Sequence, residues 1–102
     1  MAEGDRVYLL SYELRPADDN PDREGIGGAF VNCWVKSASP QAARIRAANH
    51  LKDSGWVILA TVKEVTVDPA QCPPEALPYL QRAEAEDEVF EIQAFPPEPP
   101  DA

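Results

Sequence analysis

The residues able to act as base or nucleophile are the chain's one histidine, His50, its two cysteines, Cys33 and Cys72, and its serines. A base needs a nucleophile within reach and a third group to orient it. His50 falls on the polar side of a helical stretch, beside Arg46 and Asp53, and Ser11, Ser37, Ser39 and Ser54 show no such company. Cys33 stands in a strand among Val and Trp and reads as a small core residue, while Cys72 precedes Pro73-Pro74 in a loop. Two cysteines without a neighbouring His or further Cys do not make a zinc site.

Asp18-x-Asn20-x-Asp22-x-Glu24 puts oxygen ligands at alternate positions, as a calcium loop does. The sixth position is Arg23 instead of Gly and the twelfth is Ala29 instead of Glu, so the stretch reads as an acidic, turn-rich loop, and no metal is expected. Gly25-Ile26-Gly27-Gly28 leads into a strand, whereas a phosphate loop leads into a helix. Arg44 falls on the sheet-facing side of its helix. It either snorkels to the sheet edge or contacts an anion near the helix N-terminus. Tyr8, Tyr12 and Trp56 could line a pocket between helix and sheet, but aromatics at strand spacing read first as core. No catalytic constellation and no cofactor motif emerges.

Charge narrows the partners. The 102 residues carry a net charge of −9. Residues 1–67 hold nine acidic and eight basic side chains, whereas residues 68–102 hold nine acidic side chains against Arg82 alone. There is no Lys/Arg cluster to meet phosphates, which disfavours nucleic acid and an anionic membrane surface. The acidic run Glu84, Glu86, Asp87 and Glu88 is either a solvated face or an edge that steers a basic protein partner. A partner-inhibiting role would suit this asymmetry. No apolar run approaches the ~20 residues of a membrane span. Met1–Asp5 lacks the basic and apolar regions of a secretory signal. A cytoplasmic protein without a disulfide is therefore expected.

The elements that must position these residues are well punctuated. Residues 6–15 alternate, with Tyr8, Leu10, Tyr12 and Leu14 on one parity, and Pro16 ends the strand. A polar loop at 16–28 is long enough to be a functional or mobile element. A second strand spans 29–37. Ser39-Pro40 starts a helix over 40–53, with Gly55 as its left-handed cap. Its apolar side is Ala43, Ile45, Ala47, Ala48 and Leu51. A strand at 56–67, a helix at 78–86 striped by Leu77, Leu80 and Ala83, and a strand at 89–95 complete one domain over residues 1–95. Residues 96–102 read as a polyproline-like, flexible tail.

The order ββαβαβ predicts an α+β fold: a four-stranded mixed or antiparallel sheet with two helices on one face. In element order this is similar to the ferredoxin-like sandwiches, a fold that hosts many unrelated functions. The inward parity would be Tyr8, Leu10, Tyr12, Leu14, Ala29, Val31, Cys33, Val35, Ile58, Ala60, Val62, Phe90, Ile92 and Ala94. The other face would then stand open, with Leu9, Phe30, Trp34, Val57 and Leu59 as an apolar patch. Such patches mark interfaces or ligand grooves unless a loop or tail folds over them. The leading expectation is a non-catalytic binding domain, acting as a homodimer through this face or as an acidic partner through its C-terminal third. The alternative is a small dimeric enzyme or small-molecule-binding protein with a pocket between sheet and helices. An ordered pocket holding Tyr12, Arg44 or Trp34 would favour it, whereas a flat open face with a rigid acidic edge would favour the binder.

Overall fold

The computed structural model describes residues 5–97. Its elements are β1 (Arg6–Pro16), β2 (Gly28–Ser37), α1 (Pro40–Asp53), β3 (Trp56–Thr66), α2 (Leu77–Glu86) and β4 (Glu88–Phe95). Single 3₁₀ turns lie at Arg23–Gly25 and Pro69–Gln71. The boundaries of α1 follow the local signals that predict them, whereas α2 starts at Leu77 without a side-chain cap. Ser39 Oγ accepts from the Ala42 amide at 3.1 Å, Pro40 opens the first turn, and Gly55 takes φ +90° after the last. An added Cβ at Gly55 would be strained at that φ and would press on the Asn20 side chain at 3.1 Å.

The fold is α+β, with one four-stranded sheet in the order β3-β1-β2-β4 and every neighbouring pair antiparallel. This is not the ferredoxin-like order. That motif places a helix between its first two strands, whereas here β1 and β2 are joined directly and pair from Arg6–Ser37 to Leu14–Ala29. β2 and β3 therefore run the same way on either side of β1, and α1 crosses between them.

The two helices lie on opposite faces, which corrects the one-face expectation. α1 buries Ala43, Ala47 and Leu51 against Tyr8, Leu10, Tyr12, Leu14, Ala29, Val31, Cys33 and Val35. Alanines let the helix approach closely, and Leu51 is the anchor. α2 buries Leu80 and Ala83 against Val7, Trp34 and Val89, which have the other parity. The reason is topological. β3 ends beside Tyr8 and β4 begins beside Val35, so the chain must cross from one edge to the other at that end of the sheet. α1 already occupies one face. The crossing uses the other, where Val7, Leu9 and Trp34 offer apolar surface to α2.

β3 departs from simple alternation. Lys63 pairs with Ser11 and Thr61 with Tyr12, which leaves Val62 unpaired; Ala60 pairs with Glu13 and Ile58 with Leu14, which leaves Leu59 unpaired. Each bulge reverses the side-chain parity. Ile58 accordingly packs on the α1 core as expected, while Ala60 and Val62 are exposed instead of inward. On β4 Phe90 packs on the same core, but Ile92 and Ala94 lie beyond the reach of α1 and are exposed.

The loop after β1 is tied down. The Ala17 amide and Asn20 Nδ2 both donate to the Gly55 carbonyl at 2.9 Å, and Asn20 Oδ1 accepts from the Asp22 amide. The loop therefore docks on the α1–β3 turn and leaves Phe30 and Leu59 exposed. Pro96 and Pro97 carry no regular structure, and the rest of the expected tail lies outside the described residues.

Candidate functional site

α2 covers only the half of its sheet face nearest the β1 start. A bar of side-chain hydrogen bonds marks where the cover stops. Ser11 Oγ donates to Asn32 Oδ1 at 2.6 Å, Asn32 Nδ2 donates to Glu91 Oε1 at 3.1 Å, and Tyr79 OH donates to Glu91 Oε2 at 2.7 Å. The bar links β1, β2, β4 and α2 and satisfies polar groups at the rim of the α2 core. Hydrogen bonds from Tyr79 and then Asn32 hold the Glu91 carboxyl below its ordinary range, against an opposing push from burial. The same bond, with the Glu91 charge, raises the Tyr79 hydroxyl.

A group whose pKa is lowered by folding stabilises the fold above its unfolded value, and the contribution is lost as pH falls through the lowered one. Glu91→Gln is therefore expected to be less stable than wild type near neutrality, with the gap in urea midpoints constant down to about pH 5 and closing only below it. A gap that stays constant there too would show that these bonds do not favour the ionised carboxylate.

Beyond the bar the face is uncovered. Phe30 on β2 and Phe95 on β4 pack on each other with ring centroids 5.8 Å apart and planes tilted by 36°. They are 48% and 40% exposed. Gly28 makes this possible, because a Cβ there would sit 2.6 Å from the Phe95 ring. Glu13 lies beside Phe30 in register, and Lys63 beside Ser11.

The five patch residues expected from sequence do not stay together. Phe30 remains on the uncovered half. Val57 is half-buried on β3, and Leu59, 52% exposed, occupies a bulge at that edge. Leu9 and Trp34 are withdrawn: Leu9 packs partly beneath α2, and Trp34 is 6% exposed and stacked on Tyr79 at 6.0 Å. Phe95 takes their place. It has the parity of Glu91 and Gln93, so alternation along β4 already pointed to it.

The acidic run is divided among structural tasks. Glu86 pairs with Arg82 in an exposed pair that contributes little, and Glu88 pairs with Arg46 in a half-buried one, each at 3.3 Å. Asp87 is the left-handed cap of α2 at φ +74°, and its carbonyl accepts from the Lys36 amide. Glu84 is exposed, and its carbonyl accepts from Lys36 Nζ. Arg44 spends its charge within the chain, on Glu64 of β3.

The residues of possible reactivity are likewise engaged. Cys33 is fully buried, and burial first, then the Glu88 charge, pushes its thiol up to about 12. Cys72 is half-buried and free. His50 stacks on Phe90 with centroids 3.8 Å apart. Tyr8 and Tyr12 are buried in the α1 core, Trp56 packs against that core, and none of the three lines either cavity described below. Among the described residues no three His, Cys, Asp or Glu side chains are grouped to hold a metal. No described helix is long and apolar enough to cross a membrane.

Two cavities border the 66–68 stretch at the end of β3. One of about 490 Å³ lies at the sheet end among Arg6, Lys36, Asp68, Leu80 and Glu84. A smaller, open one of about 230 Å³ is bordered by Leu9, Trp34, Gln71 and Cys72, so Trp34, unlike Tyr12 and Arg44, does border a cavity, as the small-molecule-binding alternative expects. The Trp34 indole N–H is buried and has no acceptor among the described residues. No protein-family model, curated protein or solved structure matches the chain.

Proposed function

We propose that the chain is a non-catalytic interaction domain that works through the uncovered half of its sheet, with a second copy of itself as the occupant. The observation that carries this reading is the Phe30–Phe95 pair. Two aromatic rings lie on each other at the surface, held there by a glycine, with no helix or described loop above them. Exposed aromatic clusters beside polar residues are the usual centre of an interface. An acidic surface for a basic partner is the weaker reading, because Glu86 and Glu88 already meet arginines of the chain. Two free cysteines suit a cytoplasmic setting.

Light scattering across a concentration series tests the proposal. The wild-type chain is expected to approach twice its 11.2 kDa mass. A Phe30→Ser, Phe95→Ser double variant is expected to stay folded, by circular dichroism, and monomeric. A wild type that remains a monomer, or a double variant that dimerises as well as wild type, would remove this face from the function.

A further inference from the structure

The sheet ends in two edges of unequal character. β3 carries two bulges and Lys63, the devices that keep an edge from pairing. β4 is regular over Glu88–Phe95, pairs with β2 without a register shift, and contains no proline and no lysine. Its outer side has no hydrogen-bonded neighbour among the described residues, and Ile92, 37% exposed, and Phe95 stand along it. We propose that β4 pairs antiparallel with β4 of a second copy across a two-fold axis at Ile92, joining two sheets into one of eight strands. This rests on the self-association reading above and specifies its geometry.

Register follows from side-chain chemistry. A two-fold normal to the sheet keeps each face on its own side, so opposed residues must share parity. Centring on Glu91 would set two carboxylates against each other, which is destabilising. It would also load the carboxylate already held by Tyr79 and Asn32. Centring on Phe90 or Gln93 shortens the ladder, at the strand start in one case and at Pro96 in the other. Centring on Ile92 opposes Ile92 to itself, Glu91 to Gln93, Phe90 to Ala94 and Val89 to Phe95. No like charges meet, and the amide of Gln93 can donate to the carboxylate of Glu91. On the α1 side the exposed Ile92 side chains cover each other. On the other side Phe95 lies against Val89 of the partner subunit, at the flank of that copy's α2, because α2 covers Val89. Phe95, one ring of the exposed aromatic pair, is then covered together with the free edge.

Cysteine cross-linking at the axis tests this. Directly opposed residues in an antiparallel pair have Cβ atoms about 4.5–5.5 Å apart, within small adjustment of disulfide geometry. In a Cys72→Ser background, which leaves only the buried Cys33, Ile92→Cys is expected to double its mass on a non-reducing denaturing gel after mild oxidation. Gln93→Cys, whose two copies are displaced along the ladder, is expected to remain largely single-chain. Three results overturn the proposal: a dimer by light scattering without a cross-link at 92, a better cross-link at 93 than at 92, or a monomer at every concentration. The first two leave the Phe30–Phe95 interface standing, whereas the third removes both.

Discussion

Replacing Trp34 with alanine is expected to lower the unfolding free energy by about 3–5 kcal/mol, a large share of the ~5–15 kcal/mol of a typical domain. The indole is 6% exposed, stacks on Tyr79 and sits in one cluster with Val7, Leu80, Ala83 and Val89. Truncation would open a cavity between α2 and the sheet. Trp34→Phe is expected to cost much less, because it keeps most of the apolar contact and removes a buried N–H that lacks an acceptor among the described residues. Phe30→Ala, on the same strand and the same face, should cost less, about 1–2 kcal/mol, because half of the ring is already in solvent and only the contact with Phe95 is lost. Urea unfolding of the three variants checks the order. A Trp34→Ala loss as small as that of Phe30→Ala would mean that α2 does not pack on Trp34.

The second large effect lies on the opposite face. Leu51 is fully buried at the end of α1 and anchors a helix whose other inward residues are alanines. Leu51→Ala is expected to cost about 3–5 kcal/mol, the range for truncating a fully buried leucine. The two cores share no residue and the sheet stands between them. Adding Ala83→Gly in α2, which costs about 1 kcal/mol by itself, should therefore be additive with Leu51→Ala to within about 0.5 kcal/mol. Coupling well above that would mean that the faces respond as one unit. The measurement is the set of urea midpoints for both single variants and the double.

The site was legible to the extent that its residues were single-parity positions on regular strands. Phe30 was readable because β2 alternates without interruption over its length. Phe95 is missing from the patch expected from sequence, although it shares parity with Glu91 and Gln93 on β4. Leu9 and Trp34 were placed on the correct face but assigned the wrong exposure. Parity tells which side of a sheet a residue takes, not whether a helix lies over it. Leu59 failed for a different reason. A bulge is a property of the strand pair, and Lys63, Val62 and Leu59 carry no residue type that announces one.

The amino-acid sequence by itself determined the elements and their ends. Ser39-Pro40, Gly55, Pro16 and Asp68-Pro69 act through groups within a few residues of each boundary, so their effect does not depend on distant parts of the chain. It also determined which residues of β1 and β2 face together, because the period of a strand is local. Only the tertiary structure decided which face α2 would cover, how far that cover reaches, and where β3 would break its alternation. The apolar stripe of α2 requires burial without naming a surface, and both faces of this sheet offer one. The choice fell to the path from β3 to β4, around an end of the sheet whose one face α1 had already taken.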